Sequence, residues 1–394
     1  MAVSEKTTLR HQKWKREILD IIRNTPNASR ILVKRKSALS MDSTLSLIEE
    51  LIDEGLVLSV GKSDSGKAGR KATLLEINPN GAYFIGVRFS AAGISGALMN
   101  FACETVNTYR LEFAAPPEEE SLVSGILACI QALIDQLGEK SSLLLGIGLG
   151  APGIIDLKQG TIVRYVHIPG IHSLPLRQIV EDRFHIPVYL EHGVKCSARA
   201  ALSKSEAVSG RDLLFMQTGR GIHLCVIIDG QIHTGMHYLS GEIGHMQLAS
   251  GRTLEETTSS SSLCQFARAA LERKDPQFAR LADMAGDHMT LEDIIRAADL
   301  GCRGSTSLLM QAGEAAGNAL SAAIMIVNPS DILLNGTLCA SSHFELAVRQ
   351  TLHARCIPES MSGVTLRFIA SDPRQDASGA AMIPFHMQFG MNDN

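Results

Sequence analysis

The 394-residue sequence has little that would tie it to metal, redox or membrane chemistry. Its eight cysteines, at 103, 129, 196, 225, 264, 302, 339 and 356, include no Cys-x-Cys or Cys-x-x-Cys pair. That absence excludes a zinc ribbon and a dithiol redox motif, and thiols scattered among apolar neighbours fit reduced core residues. The first twenty residues carry Lys6, Arg10, Lys13, Lys15 and Arg16 without an apolar block, so no secretory leader is expected. No apolar run approaches the roughly 20 residues that cross a bilayer. A cytoplasmic chain without membrane contact is the expectation. Net charge is also small, −4, but it is unevenly spread. Residues 1–78 hold 14 Lys and Arg against 10 Asp and Glu, a net of +4; the other 316 residues hold 23 against 31, a net of −8. A basic head on an acidic body suits an anionic partner, although segregated charge is a weak signal by itself. The length predicts two or three domains rather than one core.

In the head, Trp14, Ile18, Ile21 and Ile22 recur at helical spacing and mark one buried face, which Pro26 and Asn27 end. Ser29 is placed to cap a second short helix through Leu32 and Val33. Ser40 or Asp42 caps a third, with Leu45, Ile48, Leu51 and Ile52 inward and Gly55 just past its end. Two strands follow, Leu56 to Val60 and Ala72 to Ile77, joined by a Gly/Ser/Lys tip from Gly61 to Arg70. Three helices and a hairpin over residues 1–78 describe a winged helix-turn-helix; a small dimerisation or cap module is the bland alternative. The basic run Lys34-Arg35-Lys36 and the tip's Gly69-Arg70-Lys71 favour DNA, because Arg on a mobile Gly-rich loop suits a phosphate backbone or minor groove. Arg30, Lys34, Lys36 and Lys71 are the candidate phosphate contacts, with Gly69 and Arg70 at a groove. The third helix offers Ser43, Thr44 and Ser46 for base reading, hydroxyls that discriminate less than a bidentate Arg.

From Gly81 onward strands and helices alternate: strands at Tyr83–Phe89, Ile94–Met99, Val106–Phe113 and Leu143–Leu149, with a helix at Ser121–Leu137. Further on come Val188–Leu190, a helix Val194–Ala207, strands Leu213–Gln217 and Leu224–Ile228, and an Ala-rich helix Thr306–Val327. The pattern predicts an α/β body in two lobes.

Several short motifs stand in that body. Gly241-Glu242-Ile243-Gly244-His245 is the sharpest, with Arg252-Thr253-Leu254-Glu255 after it and Glu191-His192-Gly193-Val194-Lys195 before it. Ala151-Pro152-Gly153, Thr218-Gly219-Arg220-Gly221 and Asn335-Gly336 punctuate strand ends. In the head, Ser29-Arg30, the run Leu51 to Val57 (L-I-D-E-G-L-V) and Gly69-Arg70 add to the set. These residues resemble the ROK family of bacterial sugar repressors and sugar kinases. The likeness covers nearly all of residues 80–390 and extends to the head. It implies a winged helix-turn-helix followed by an effector body with the two-lobed, actin-like (hexokinase-like) ATPase fold. One lobe is expected over about 80–190 plus a C-terminal helix, and the other over 191–372.

The departures from the family pattern decide the functional expectation. The family's E-N-D-x-N places a general base where this chain has Gly193. Its D-x-G-G-T phosphate turn is Arg88-Phe89-Ser90-Ala91-Ala92 here, without acid or glycine pair, and the G-T-G-x-G turn survives only in part, as an ordinary hairpin at Gly219 and Gly221. The zinc knuckle that follows the family histidine is missing, since residues 246–263 contain no cysteine. No metal, no cofactor and no catalytic residue is therefore expected, and the segment from Met246 to Thr258 is expected to be held by packing alone. The sugar-facing set is better kept: His192, Glu242, His245 and Glu255 are the candidate ligand residues, carboxylates being able to accept two neighbouring hydroxyl protons. A solvated Glu and a packed His are the bland alternative. The resemblance thus implies a sugar- or sugar-phosphate-responsive regulator, a repressor in type, acting on operator DNA as a homodimer or homotetramer. An ATP-dependent sugar kinase is the runner-up.

Overall fold

A computed structural model of the chain describes residues 2–62, 73–165, 168, 170–203, 212–236, 238–284, 286, 289–370 and 373–390. The chain divides into two compact units, residues 1–200 with 373–394 and residues 201–372.

The first unit opens with helices α1 (Ala2–Arg23), α2 (Arg30–Lys36) and α3 (Met41–Asp53), followed by an antiparallel hairpin of β1 (Val57–Lys62) and β2 (Thr73–Ile77). Ser29 caps α2 by accepting the Leu32 N–H, and Ser40 rather than Asp42 caps α3 by accepting the Ser43 N–H at 3.2 Å. A serine hydroxyl there satisfies one of the orphan amides of the first turn. The inward face of α3 is Thr44, Leu47, Ile48 and Leu51, while Leu45 is only half buried. Leu47 takes the inward place expected of Leu45, being three residues after Thr44 and four before Leu51 on the same face. Leu75 N–H donates to Ala28 O at 2.8 Å, which ties the hairpin to the α1–α2 turn.

The lobe that follows is built on a five-stranded sheet ordered β10-β6-β3-β4-β5. Its strands are β3 (Tyr83–Ser90), β4 (Gly93–Asn100), β5 (Thr105–Glu112), β6 (Leu144–Ala151) and β10 (Val188–His192). The three-strand set β10, β6, β3 is parallel and the β3-β4-β5 meander antiparallel. Helix α4 (Glu119–Asp135) covers one face with Leu122, Ile126, Ile130 and Leu133. A small sheet of β7 (Ile154–Asp156), β8 (Thr161–Arg164) and β9 (His172–Leu174) leads to α5 (Leu176–Phe184). Helix α6 (Gly193–Ser203) starts directly where β10 ends, one residue earlier than the pattern suggests.

The second unit has its own five-stranded sheet, ordered β13-β12-β11-β14-β15. It comprises β11 (Leu213–Thr218), β12 (Ile222–Ile228), β13 (Gln231–Ile232), β14 (Asp331–Gly336) and β15 (Thr365–Ile369). Between β13 and β14 lie α7 (Leu254–Thr258), α8 (Ser260–Glu272), α9 (Ala279–Met284), α10 (Leu291–Asp299) and the long α11 (Arg303–Val327); α12 (Ser342–Arg355) and α13 (Pro358–Met361) precede β15. Gly313 and Gly317 on α11 face Phe344, Ala347 and Thr351 of α12, where any Cβ would overlap the neighbour. Two helices lie unusually close there because glycine removes the side chain between them.

The chain then returns to the first unit as α14 (Pro373–Phe389). It lies against β3 and β6 at Gly86 and Gly148, whose missing side chains leave room for the backbone at Ala377 and Ala380. Its last turns complete the apolar cluster of the head: Ile18, Val33, Ile48, Leu51 and Leu75 share a core with Phe84, Phe101, Met382 and Phe385. Phe84, Phe101, Phe385 and Phe389 meet mostly edge to face, with centroids 5.0–6.2 Å apart, a favoured geometry for aromatic pairs. Arg23 stacks over Phe385 at 4.6 Å and donates to Phe101 O at 3.2 Å. Arg16 donates to the carbonyls of Met387 and Gln388, which a helix end leaves without intrahelical partners.

Candidate functional site

In the head, the basic residues of α2 sit on a seven-residue helix with its acidic partners elsewhere. Arg35 and Lys36 are exposed, and Lys34 and Arg30 are half buried. Arg30 is ion-paired with Glu49 of α3 at 2.5 Å, and Lys36 donates to Thr25 Oγ1 at 2.9 Å. Both contacts fix long side chains that would otherwise lose freedom on meeting a phosphate. On α3, Ser46 is exposed and Ser43 half buried, accepting from the Ser40 hydroxyl at 2.8 Å. Thr44 corrects the expectation. It is fully buried, with Oγ1 donating to Ser40 O at 2.8 Å and lying 3.2 Å from Ser37 Oγ, so it faces the core and cannot reach a base. Gly69, Arg70 and Lys71 lie outside the described residues.

In the first unit's lobe, β3, β6 and β10 are parallel, and their carboxyl ends bring Arg88, Gly150, Glu191 and His192 to one edge. Such ends are where open α/β sheets place their ligands. The Arg88 stem passes over Gly150, where a Cβ would overlap its Cδ, and its guanidinium lies over Gly193, where a Cβ would be 2.6 Å from Cζ. The two positions singled out as losses, acid to Arg88 and base to Gly193, are therefore one arrangement. The guanidinium fills the volume an aspartate at 193 would need. Lys195, the third residue of α6, is buried with its side chain 3 % exposed, and its Nζ is 3.6 Å from Glu191 Oε1. The same carboxylate accepts the His192 N–H at 2.8 Å. His192 is buried in this first unit.

Glu242, His245 and Glu255 belong to the second unit. Gly241 has φ +89°, and a Cβ there would overlap the Leu224 carbonyl. Only glycine lets this segment lie so close to β12, which sets Glu242 beside it. Ile243–His245 then forms a single 3₁₀ turn, leaving His245 exposed. Glu255, on α7, accepts the Ile222 N–H at 3.0 Å and so holds the start of β12. A residue the motif reading missed joins this group: His223, whose Nδ1 is 3.5 Å from Glu242 Oε2, both side chains being about a third exposed (38 % and 35 %). The available signal was a lone polar residue in the apolar run Ile222 to Ile228.

The segment after His245 corrects a second expectation, for it is not held by packing alone. Leu248 N–H donates to Arg252 O at 2.8 Å and Leu254 N–H to Met246 O at 2.9 Å. Thr253 and Glu256 form a capping box on α7, and Arg252 stacks over Phe266 at 4.7 Å. A zinc beside His245 does not fit the donors: residues 246–263 hold no cysteine, and among the described residues no three His, Cys, Asp or Glu side chains cluster as a ligand set. A nucleotide–magnesium complex fits no better at the end of β3, where a guanidinium stands in place of a carboxylate and would repel the metal.

With this geometry in hand, comparison with known proteins is direct. The sequence pattern of the ROK family matches residues 84–383, and the chain belongs to the ROK family. A xylose repressor from Caldicellulosiruptor bescii is 26 % identical over 336 residues, covering 83 % of this chain and 84 % of that one. Among solved structures, a ROK family transcriptional regulator described as a homolog of the E. coli MLC protein superposes with a TM-score of 0.81 at 21 % identity, covering 96 % of this chain and 97 % of the other. A ROK family glucokinase from Streptomyces griseus, solved with glucose and AMPPNP, superposes with a TM-score of 0.65 at 20 % identity over 76 % of this chain and 98 % of its own. The fold is thus the actin-like body of this family, preceded by three helices and a hairpin. Among the described residues, no helix is long and apolar enough to cross a membrane.

Proposed function

We propose that this chain is a sugar-responsive transcriptional repressor whose winged head binds operator DNA and whose kinase-like body senses a sugar or sugar derivative without phosphorylating it. The observation that carries the reading is the guanidinium of Arg88 lying over Gly193. Phosphoryl transfer to a sugar hydroxyl needs a base to take the proton and a metal-bound phosphate to receive the attack. General-base help of this kind is typically worth ~10²–10⁴-fold. Gly193 offers no acceptor, and Arg88 stands against both the base and the metal. Binding requires neither, so the family's sugar-reading residues remain useful: His192 in the first unit, and Glu242, His245 and Glu255 in the second.

The head supplies the other half. Its basic α2 and its half-buried and exposed serines on α3 suit phosphate anchoring with modest base discrimination. One small head reads a short half-site, so the functional species is proposed to be a dimer or tetramer in the cytoplasm. An effector shifts operator occupancy only through its different affinity for two states of the body. The test pairs two assays on the full chain. Selection from random duplexes, followed by anisotropy titration with and without a sugar panel, should return one preferred site whose affinity a sugar changes. A coupled ADP assay with the same panel should stay at background. Sugar-dependent ADP release refutes the reading, as does full DNA affinity in a chain lacking residues 1–78.

A further inference from the structure

We infer that His223 is a positioning residue of the effector site on the second unit: it steers the Glu242 carboxylate and so decides which stereochemistry of a sugar hydroxyl that site accepts. This rests on the sensor reading above and deepens it, adding a residue that lies outside every motif of the sequence and naming the ligand feature it selects. Two features of the second unit lead to it. The first is where the imidazole lies. Along β12, Ile222 and Leu224 enter the core of this unit, so His223 between them turns to the opposite face. Its Nδ1 stands 3.5 Å from Glu242 Oε2, where both side chains are partly open to solvent. The other side of the ring closes over Gly221, where a Cβ would lie 2.9 Å from His223 Nε2 and 3.0 Å from Glu255 Oε2. Glycine at 221 thus makes room for the ring, and Glu255 fixes the start of the strand by accepting the Ile222 N–H at 3.0 Å.

The second feature is the condition of Nδ1. It is shut off from solvent, and among the described residues it has no hydrogen-bond partner. A ring nitrogen so placed costs free energy until it finds one. Glu242 is the acceptor at hand, but 3.5 Å exceeds the roughly 2.7–3.2 Å span of an N–H···O bond. A modest turn of either side chain closes the gap. A carboxylate on that side favours the imidazole tautomer with its proton on Nδ1, the form that donates. A carboxylate has about four lone-pair sites, so Glu242 can take this bond and still accept ligand hydroxyls beside its other contacts. With Oε2 held by His223, the plane of the carboxylate is set. A hydroxyl lying along its lone pairs is accepted, and the epimeric hydroxyl, directed elsewhere, is not. The pair does little for the fold itself, because an ion pair open to solvent contributes little stability. Positioning and structural roles therefore predict different outcomes when the imidazole is removed.

Calorimetry on the full chain tests this with xylose, glucose, the epimers of each at every ring hydroxyl, and the phosphate esters of all of them. Proteins to be compared are wild type, His223→Ala, His223→Asn, whose amide N–H stands in for Nδ1–H, and Gly221→Ala, which keeps the histidine but presses on its ring. In wild type, one ring hydroxyl should separate a sugar from its epimer by about 10–100-fold, the worth of a hydrogen bond to a charged group. His223→Ala should reduce that ratio about tenfold and leave the melting temperature in place. His223→Asn should restore most of the ratio. An unchanged epimer ratio in His223→Ala overturns the proposal while leaving the sensor reading standing. So does a loss that His223→Asn fails to restore, or equal affinity of wild type for every epimer pair. Should His223→Ala fail to fold, Gly221→Ala decides: a reduced ratio supports the proposal and an unchanged one overturns it. If no sugar or sugar phosphate binds at all, the sensor reading falls first and this inference with it.

Discussion

At the scale of single residues, Gly193 and Arg88 matter as a pair. Restoring an acid by Gly193→Asp puts a Cβ 2.6 Å from the Arg88 Cζ, so the guanidinium must be displaced. Overpacking of this kind costs about 1–3 kcal/mol. The variant should melt at a lower temperature and still release no ADP in a coupled assay with sugars; a rise in sugar-dependent ADP would show that only the base was missing. The head offers a second residue-scale contrast. Thr44→Val removes a buried hydroxyl bonded to Ser40 O and should cost about 1 kcal/mol without changing which duplex is preferred. Ser46→Ala should do the reverse, leaving the melting temperature in place and altering the selected site. Each half is checked by one thermal melt and one duplex selection. Both Gly193 and Arg88 were legible as losses in the sequence, because motifs register what is absent. That one side chain fills the space left by the other was not, since they come together only through the parallel pairing of β3, β6 and β10. Thr44 misled for another reason. Thr44 stands at i, with Leu47, Ile48 and Leu51 at i+3, i+4 and i+7 on the inward face, but a hydroxyl is read as polar even where the spacing turns it inward.

Among elements, α1 and α3 are joined by a charged latch: Lys15 bridges Glu50 at 3.1 Å and also bonds Glu54, and His11 Nε2 is 2.9 Å from Glu50. Burial opposes the charge on Lys15, but its bonds to Glu54 and Glu50 outweigh this and raise its pKa above the ordinary 10.5. Burial likewise opposes the charge on Glu50, and its bonds to His11 and Lys15 outweigh it and lower its pKa below 4.5. A depressed carboxylate contributes stability that is present above its unfolded value and lost as the pH falls through the folded one. A raised lysine contributes stability that is present below its unfolded value and lost as the pH rises through the folded one. The Lys15–Glu50 contribution to the head should therefore be constant between those ordinary values and fade outside them. Thermal melts of wild type and Glu50→Gln, followed across pH, should converge below pH 4.5 and stay separated at neutral pH. A gap that vanished at neutral pH would remove the latch. A larger effect is expected at α14. Arg23→Ala loses the stack on Phe385 and the bond to Phe101 O, together about 1–3 kcal/mol, and should loosen the head as measured by its hydrogen exchange. Helices α1, α3 and α4 were visible in the sequence because each has one apolar stripe. Helix α14 had no such stripe to show: Ala377, Ala380, Ala381, Ile383 and Phe385 are buried on several sides at once and Pro384 interrupts the run. Periodicity is lost when a helix is covered all round.

For the whole molecule, the proposed binding of duplex DNA by the basic head should be controlled by salt. If Arg30, Lys34 and Lys36 each neutralise one phosphate, the logarithm of the binding constant should fall with the logarithm of salt at about −0.9 per contact, and Lys34→Ala should flatten that slope by about one such step in an anisotropy titration at several salt concentrations. An unchanged slope would place the contact elsewhere. The dependence of the head on α14 has a further consequence for how the chain is made. The helices that open the sequence leave the ribosome first, yet Met382 and Phe385, which close their apolar cluster, are made some 300 residues later, about 15–60 s behind at about 5–20 residues/s. A transcript broken by a nonsense codon or a frameshift anywhere before α14 would thus yield a head with its core open. Such a fragment would leave Phe84 and Phe101 without the aromatic ring of Phe385 that packs on them. On the repressor reading proposed above, a head whose core α14 completes would hold its operator fully only in chains that also carry the body.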